Sequence, residues 1–310
     1  MSISMKGKDL VSIDDLTREE VHQILETAEI IKLRHYAQEE QPVLKGKILG
    51  MIFQKPSLRT RVSFEAGMMQ LGGQAIYLGP DDIKLGEREA TKDIAQVLSR
   101  YVDGIMARTF SHQVILDLAK YASVPVINGL SELLHPCQIL GDLLTIKEKK
   151  GKLAGLKLAY IGDGNNVAHS LIFGSVKVGM NIVLATPPGY EPKKEIIEKA
   201  KIDAQKVGST IEVIHDPEKA VQDADVIYTD VWVSMGFEKE KESRKNVFTP
   251  YQVNQNLINH SKEEVIILHC LPAHRGEEIT DEVIDGANSV VIDQAENRMH
   301  AQKGVLALLL

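Results

Sequence analysis

FQKPSLRTRVSFE, residues 53–65, joins a predicted strand to a predicted helix. The apolar run 48–53 ends in Lys-Pro, which is a turn signal, and the segment after the turn carries large apolar side chains at Phe64, Met68 and Leu71. That spacing predicts a helix with one buried face. A strand, a turn rich in hydroxyl and guanidinium groups and a helix therefore follow one another, as in an α/β fold.

The turn between this strand and this helix is suited to an anion. At a helix N-terminus the first backbone N–H groups have no intrahelical partner, and the helix dipole is positive. Ser57 and Thr60 offer hydroxyl donors, and Arg59 offers a planar fork that matches phosphate oxygens. The alternative is an ordinary N-cap followed by a solvated basic turn. It fits less well, because two arginines in a first turn oppose the dipole unless an anion compensates them.

The composition predicts a two-domain protein that recognises small anions. The 310 residues are 44% hydrophobic and 25% charged, with a net charge of -7. This length suffices for large cores and suggests two domains. The negative charge argues against nucleic acids and acidic membranes as partners, so we expect local arginine clusters to serve small anions.

The termini and the cysteines predict a cytoplasmic protein. Residues 1–16 lack an apolar core behind their lysines, so they do not form a signal peptide, and the apolar tail 304–310 is too short to span a bilayer. Cys137 and Cys270 cannot form a disulfide framework, and we expect both to be thiols in a reducing compartment. Cys137 is interpreted as a small packed residue.

Two long helices are predicted in the first half of the chain. Residues 12–20 offer hydroxyl and acidic caps ahead of an amphipathic helix that continues to about residue 33. The segment 138–150 ends in basic residues before Gly151, which is typical of a helix C-terminus. We interpret this second helix as the bridge between the two domains.

The sequence GDGNN, residues 162–166, follows a predicted strand and begins like a dinucleotide-binding turn. The third glycine of that motif is replaced by Val167, and the next strand, 181–185, ends in Thr-Pro-Pro without the acid that would bind a ribose. A nucleotide cofactor is therefore not expected. The paired asparagines indicate recognition of a polar small molecule through amide groups.

Polar side chains follow the ends of several predicted strands. In the first half, Arg108 comes directly after a buried strand. In the second half, three strands end beside Asn166, beside Asp230 with Ser234, and beside Cys270. Because the carboxyl ends of parallel strands meet at one edge of a sheet, we expect the residues of the second half to form a single site.

Four segments resemble motifs of the aspartate/ornithine carbamoyltransferase family. The sequence SLRTR at 57–61 is similar to the family's carbamoyl-phosphate motif, usually STRTR, and HPCQ at 135–138 is similar to its His-Pro-x-Gln motif. The sequences SMG at 234–236 and HCLP at 269–272 resemble the ornithine branch in particular. The motifs occur in the family's order over nearly the whole chain.

The resemblance implies a fold, a division into domains and a reaction. The fold is α/β, with two domains that are each a mainly parallel sheet flanked by helices, joined by interdomain helices. Residues 1–141 would form a carbamoyl-phosphate-binding domain, with the C-terminal helix 293–310 packing back on it, and residues 142–292 an ornithine-binding domain. The carbamoyl group of carbamoyl phosphate would pass to the δ-amine of L-ornithine, giving L-citrulline and phosphate. Arginine biosynthesis and arginine breakdown use the same chemistry, and biosynthesis is favoured between the two. No metal or organic cofactor is implied, and His269 and His274, five residues apart around a proline, have poor metal-binding spacing.

Carried over position by position, the resemblance implies two sets of binding residues. The carbamoyl-phosphate set is Ser57, Leu58 (through its backbone N–H, where threonine is usual), Arg59, Thr60, Lys84, Arg108, His135, Gln138, Cys270, Leu271 and Arg298. The ornithine set is Asn166, Asp230, Ser234 and Met235. The implied catalytic residues are Arg108, His135, Cys270 and Arg298. In the family, the peptide bond between Leu271 and Pro272 is cis.

Two charge-rich segments are predicted to be surface loops. Residues 79–89 combine two glycines, a proline and several charges, and residues 238–245 form a charged, mobile insertion. In the family the first loop reaches the active site of a neighbouring subunit, within trimers or multiples of trimers. Lys84 stands where ornithine enzymes commonly carry glutamine, so its implied contact with phosphate is that of a point charge.

Several alternatives stay open on the sequence alone. Putrescine, N-acetylornithine or aspartate would be acceptors within the same class, but Asp230 and the SMG segment favour ornithine, because a diamine has no carboxylate and an acetylated amine cannot form an ion pair. A nucleotide-binding oxidoreductase would need the missing glycine and acid. A catalytically silent anion-binding relative is disfavoured by the retained site residues, which are Arg59, Arg108, His135 and Cys270.

Overall fold

The structure is a computed structural model and describes residues 3–83, 85, 89–233 and 240–310. The chain divides into two compact units. The first unit comprises Met1–Leu144 and Glu296–Leu310, and the second comprises Thr145–Ala295. Each unit contains a parallel β-sheet with helices, so the predicted α/β fold class is confirmed.

The first unit contains a four-stranded parallel sheet. Its strands are β1 (Ile48–Phe53), β2 (Gln74–Leu78), β3 (Gly104–Arg108) and β4 (Val126–Leu130). They lie in the order β2-β1-β3-β4, so β1 and β3 are central. Every residue of β3 is buried, as expected for a parallel strand that is covered on both faces.

Six helices precede, connect and follow these strands in the described residues. They are α1 (Arg18–Tyr36), α2 (Leu58–Gln70), α3 (Pro80–Ile83), α4 (Thr91–Leu98), α5 (His112–Tyr121) and α6 (Pro136–Lys150). Helix α1 begins at a capping box, in which the Thr17 side chain accepts from the Glu20 backbone and the Glu20 side chain accepts from the Thr17 backbone. Helix α2 buries Phe64 and Met68, which confirms the helix predicted from their spacing.

The second unit contains a five-stranded parallel sheet. Its strands are β5 (Lys157–Ile161), β6 (Asn181–Ala185), β7 (Ile211–Ile214), β8 (Val226–Thr229) and β9 (Ile266–His269). They lie in the order β7-β6-β5-β8-β9. The strands β5, β8 and β9 are therefore neighbours, and their carboxyl ends share one edge of the sheet.

The helices of the second unit vary widely in length. They are α7 (Asn166–Lys177), α8 (Lys194–Val207), α9 (Pro217–Val221), α10 (Lys241–Phe248), α11 (Gln255–Ile258) and α12 (Asp281–Ile284), with a short 3-10 helix at Thr249–Tyr251. Every residue of α7 after Asn166 is buried, so this helix is part of the core. Helix α10 overlaps the predicted charged insertion 238–245 at residues 241–245, and it buries Arg244 and Phe248.

The last helix, α13 (Val291–Leu309), begins two residues before the predicted start at 293, and its residues from Glu296 onward belong to the first unit and pack closely there. A Cβ atom at Gly141 of α6 would lie 2.8 Å from the Cα of Arg298. A Cβ atom at Gly304 would lie 2.9 Å from the carbonyl oxygen of Ile24 in α1. Both distances are too short for real contacts, so glycine is required where α13 approaches α6 and α1.

Among the described helices, none has both the length and the apolarity that crossing a bilayer requires.

We predict that Gly141→Ala destabilises the protein. The added methyl group has to displace the backbone of α13 at Arg298, and such overpacking costs typically about 1–3 kcal/mol, partly offset by alanine's better helix propensity of up to about 1 kcal/mol. Thermal unfolding followed by circular dichroism should show a midpoint lowered by roughly 2–4 °C. Gly50→Ala is the control, since its Cβ would meet Val102 at an ordinary 3.5 Å. Equal midpoints for the two variants would contradict the prediction.

Candidate functional site

The turn between β1 and α2 has the form of an anion site. Ser57 is the N-cap of α2, and its Oγ accepts a hydrogen bond from the Thr60 backbone N–H at 3.3 Å. The same Oγ donates to the Thr60 Oγ1 at 3.1 Å. The first turn of α2 contains no acidic residue, so the positive end of the helix and the Arg59 side chain are not compensated within this turn.

Two further arginines converge on Thr60. Its fully buried Oγ1 accepts from Arg108 Nη1 at 3.3 Å and from Arg298 Nη2 at 2.6 Å. Arg108 is the last residue of β3, and Arg298 lies on α13, where α13 approaches α6 at Gly141. Three separate elements therefore bring their side chains to one hydroxyl group.

The imidazole of His135 lies within this positive field. His135 is buried and immediately precedes α6. Burial is the largest cause that holds its pKa well below the usual value of 6.5, and the positive charges of Arg298, Arg108 and Arg59 lower it further. The imidazole is therefore neutral at neutral pH, and it can serve as a hydrogen-bond donor or acceptor without adding a charge.

The next residues of α6 differ in their surroundings. Gln138 is buried, its Nε2 donates to Asp142 Oδ1 at 2.8 Å, and its Oε1 has no hydrogen-bond partner among the described residues. Cys137 is buried with its Sγ 3.4 Å from the carbonyl oxygen of Asn128. Burial raises the pKa of this thiol to about 12, so it stays protonated, and the interpretation of Cys137 as a packed residue is confirmed.

In the second unit, three donors hold the carboxylate of Asp230 directly after β8. Its Oδ1 accepts from the Val231 backbone N–H at 2.8 Å and from Cys270 Sγ at 3.0 Å. Its Oδ2 accepts from Asn165 Nδ2 at 2.8 Å. The loop after β5 and the end of β9 are thereby both hydrogen-bonded to the end of β8.

The segment after β9 is held by a buried imidazole. His269 Nδ1 accepts from the Leu271 backbone N–H at 2.9 Å, so the proton of the neutral ring lies on Nε2 and is donated to Glu278 Oε1 at 3.0 Å. Leu271 has a φ of 56°, in the left-handed region, and the peptide bond between Leu271 and Pro272 is cis. The hydrogen bonds of His269 thus stabilise a backbone conformation that leucine rarely adopts.

The buried Arg244 forms hydrogen bonds with the loop after β5 and with residues on both sides of the segment 234–239. Arg244 of α10 bonds to Asp163 at 2.9 Å, to the carbonyl oxygen of Trp232 at 3.0 Å and to Glu240 at 3.0 Å. Burial raises the pKa of Asp163 to about 6, although the charge of Arg244 opposes the rise. Asp163, Arg244 and Glu278 were not predicted as part of the site. The contacts of these three residues depend on burial by residues that are distant in sequence, and no local sequence motif predicts that burial.

The structure describes some of the remaining predicted binding residues and not others. Asp230 and Cys270 are in contact, as described above. Asn166 is the first residue of α7 and half-buried, and its carbonyl oxygen accepts from Ser170 Oγ at 2.9 Å, while the neighbouring Asn165 contacts Asp230. Three predicted residues, Lys84, Ser234 and Met235, lie outside the described residues.

Two groups of side chains in the described residues have the composition of metal ligands. Asp230, His269 and Cys270 form one group, and His274, Glu277 and Glu278 form the other. In the first group both ring nitrogens of His269 already make hydrogen bonds. In the second, the amines of Lys241 and Lys245 lie 3.8 and 3.7 Å from Glu277 and oppose a cation. Both groups are better suited to hydrogen bonding than to metal ligation.

Two family models match this chain. The model described as the carbamoyl-P binding domain of aspartate/ornithine carbamoyltransferase matches residues 8–148. The model described as the Asp/Orn binding domain of the same family matches residues 154–309. Together they cover nearly the whole sequence.

Individual proteins with similar sequences and structures agree with these matches. The ornithine carbamoyltransferase of Thermococcus kodakarensis is 58% identical over 310 residues, which cover 100% of this chain and 98% of that protein. The solved structure of ornithine carbamoyltransferase from Pyrococcus furiosus has a TM-score of 0.97 at 56% identity, covering 99% of this chain and 98% of the other. The structure from Gloeobacter violaceus has a TM-score of 0.89 at 46% identity, covering 99% of each chain. The chain belongs to the aspartate/ornithine carbamoyltransferase family.

Proposed function

We propose that this protein transfers the carbamoyl group of carbamoyl phosphate to the δ-amine of L-ornithine, giving L-citrulline and phosphate. The observation that carries the proposal is the convergence of Arg108 and Arg298 on Thr60, beside a neutral His135. Such a cluster of donors and positive charge is suited to a dianion that carries a carbonyl group. Family membership identifies carbamoyl phosphate as that dianion.

The first unit is proposed to bind carbamoyl phosphate. The phosphate would be held by Ser57, by the backbone N–H of Leu58, by Arg59 and by Thr60, with Lys84 contributed from a neighbouring chain. The carbamoyl end would contact Arg108, His135, Gln138 and Arg298, together with Cys270 and Leu271. The N-terminus of α2 supports the phosphate assignment, because its N–H groups and dipole favour an anion there.

The donors at the carbamoyl end would lower the barrier to transfer. When the amine attacks the carbonyl carbon, negative charge develops on the carbonyl oxygen. Donors from Thr60, Arg108 and His135 aimed at this oxygen stabilise the tetrahedral transition state, each by about 2.7–4 kcal/mol where the geometry is good. A new C–N bond forms, the C–O bond to phosphate breaks, and the departing phosphate accepts the proton of the amine.

The second unit is proposed to bind ornithine. Asp230 would pair with the α-ammonium group, Asn166 and backbone groups would take the carboxylate, and Ser234 and Met235 would complete the site. The Cys270 thiol and the Leu271 carbonyl would orient the δ-amine. A free alkylamine has a pKa of about 10.4, so the amine has to lose a proton before it attacks, and a water-poor site lowers that pKa.

The relatives and the cysteines support a biosynthetic direction for the reaction and a cytoplasmic location for the protein. The Pyrococcus furiosus relative is named an anabolic ornithine carbamoyltransferase, which favours arginine biosynthesis for this chain. Both cysteines, Cys137 and Cys270, are free thiols, which is consistent with a reducing compartment and supports a cytoplasmic location. The protein is proposed to need no metal and no organic cofactor.

A comparison of acceptors tests the proposed function. Purified protein is given carbamoyl phosphate and, in parallel, ornithine, putrescine, N-acetylornithine or aspartate, and ureido product is measured colorimetrically. We expect product with ornithine at a kcat/KM at least about 100-fold above the other amines, because only ornithine presents both an α-ammonium group and an α-carboxylate beside a free terminal amine. A different preferred acceptor would reassign the substrate. A folded protein that binds carbamoyl phosphate but forms no product would contradict an enzymatic function.

We also propose a homotrimer or a multiple of trimers. Exposed apolar side chains on the neighbouring elements α2 and β2 support self-association: Leu58, Val62, Met69 and Ile76. Sedimentation equilibrium should give a mass that corresponds to three copies of the 34.3 kDa chain, or to a multiple of three copies. Met69→Glu should reduce this mass, whereas Ile202→Glu, at an exposed position on α8, should not. A monomer at micromolar concentration would refute the proposal.

The lowered pKa of His135 predicts a flat pH response for its contribution to catalysis. Since burial and the neighbouring arginines hold the folded-state pKa well below 6.5, the imidazole should not gain a proton as the pH falls through its ordinary value. The ratio of kcat/KM for carbamoyl phosphate between the wild type and His135→Gln should therefore change by less than about twofold from pH 6 to pH 9, because kcat/KM reports groups of the free enzyme. An imidazole that titrated near 6.5 would make the ratio change severalfold between pH 6 and pH 8, and such a change would contradict the prediction.

A further inference from the structure

We propose that Asn165 is a positioning residue that orients the Asp230 carboxylate and thereby sets the affinity for the amino-acid acceptor. This inference rests on the proposed function, in which Asp230 pairs with the α-ammonium group of ornithine. Asn165 itself would not contact the reacting atoms. Its role would be to hold one oxygen of Asp230 in a fixed direction.

The hydrogen bonds of Asn165 determine which way its amide points. Its Oδ1 accepts from the backbone N–H groups of Val167 at 2.9 Å and Ala168 at 3.1 Å, which makes Asn165 the N-cap of α7. The hydroxyl of Tyr160 lies 3.4 Å from this oxygen. A flipped amide would lose both backbone bonds and would place its oxygen against a carboxylate. The Nδ2 group therefore faces Asp230, with a hydrogen bond of 2.8 Å to Oδ2.

The bonds of Asp230 leave a defined position for an ammonium group. Oδ1 accepts from both Val231 N–H and Cys270 Sγ, which occupy its two lone-pair directions. Oδ2 accepts from Asn165, and among the described residues no second donor is bonded to it, so its other lone-pair direction can take the ammonium group. The direction of that lone pair is fixed by the Asn165 bond. Without this bond, rotation of the carboxylate would be restricted only on the Oδ1 side.

The phenol beside Asn165 keeps its proton over the pH range of the experiment. Tyr160 is fully buried, and its hydroxyl donates to the Asp163 carbonyl oxygen at 2.8 Å. Burial, and after it the charge of Asp230, raise the pKa of this phenol well above 10, so it remains a donor. The titratable groups that act on Tyr160 beside Asn165 are Asp230 after β8, Asp163 after β5, Cys270 after β9 and Glu278. Arg244 of α10 balances Asp163.

Asn165→Asp separates the positioning role from the capping role. Aspartate caps a helix as well as asparagine does, so α7 keeps its N-cap. The substitution removes the Nδ2 donor and brings a second carboxylate close to Asp230. At pH 8 we expect the KM for ornithine to rise roughly tenfold or more and the KM for carbamoyl phosphate to stay within about twofold.

The pH dependence of the ornithine KM of this variant distinguishes a positioning role from a purely structural role, which would leave that dependence unchanged. Two close carboxylates raise each other's affinity for a proton, so the pair takes up a proton as the pH falls. The protonated carboxyl can then donate to its partner and replace the lost amide donor. The ratio of the ornithine KM of Asn165→Asp to that of the wild type should therefore decrease from pH 8 to pH 6. Asp163 titrates near this range in the wild type as well, so the wild-type KM is measured at each pH and the comparison is made as a ratio.

Two further variants complete the experiment. Asn165→Ser keeps a capping hydroxyl that is too short to reach Asp230, so its ornithine KM should rise without recovering at lower pH. Asn254→Asp makes the same chemical change at the N-cap of α11, where the side chain accepts from the Leu257 N–H at 3.1 Å, and it should leave both KM values unchanged. If Asn165→Asp does not fold, Asn165→Ser decides the question.

The outcomes distinguish this inference from the proposed function. A wild type that forms citrulline, with folded Asn165→Asp and Asn165→Ser proteins whose ornithine KM stays within twofold of wild type, would overturn the inference and leave the function standing. Equal rises in both KM values would also overturn it, since they would indicate a general structural role. A wild type that forms no citrulline would remove the proposed function and this inference with it.

Discussion

The anion site of the first unit depends on holding like charges together around one hydroxyl group. Arg108 and Arg298 both donate to the buried Thr60 Oγ1, and the charge of Arg59 acts on the same neighbourhood, as the lowered pKa of His135 indicates. Guanidinium groups stay charged in proteins, so their mutual repulsion cannot be relieved by loss of a proton. The backbone has to supply the restraint, and it does so by the close packing of α13 against α6 at Gly141. An arriving dianion would relieve the repulsion that the packing maintains.

The second unit uses the opposite sign of charge. Its central group is the Asp230 carboxylate, and the three groups that hold it are an amide, a thiol and a backbone N–H, all of them uncharged donors. A cationic partner in their place would have neutralised the carboxylate. Neutral donors fix its orientation and leave its charge available to a ligand. The one arginine described nearby, Arg244, is directed to Asp163 instead. The two units therefore suit substrates of opposite charge, an anionic carbamoyl donor and an acceptor with an ammonium group.

The sequence predicts those parts of the sites that depend on local chain geometry. The strand, turn and helix around Ser57 follow from hydrophobic spacing and N-cap chemistry, and the contact between Asp230 and Cys270 follows from the shared edge of parallel strands. Arg298 was predicted only through the family resemblance, because nothing local indicates that a residue of the last helix contacts Thr60. Arg244 was placed in a mobile surface insertion, since its burial depends on rings that are distant in sequence. The bond from Asn165 to Asp230 could not be predicted, because it depends on the orientation of one side-chain amide. The sequence does not distinguish Asn165 from its neighbour Asn166, which was predicted instead.

The same local device recurs at both sites, and it explains how helix position is transmitted to a functional group. Ser57 caps α2 and also donates to the Thr60 hydroxyl, on which the arginines converge. Asn165 caps α7 and also donates to Asp230. A capping side chain is fixed by the N–H groups of the helix, so a remaining donor on that side chain has a direction set by the helix axis. The buried helix α7 cannot shift without disturbing the core, and the direction of the Asn165 donor is as rigid as that core. Side chains that satisfy a helix end can thereby orient binding groups.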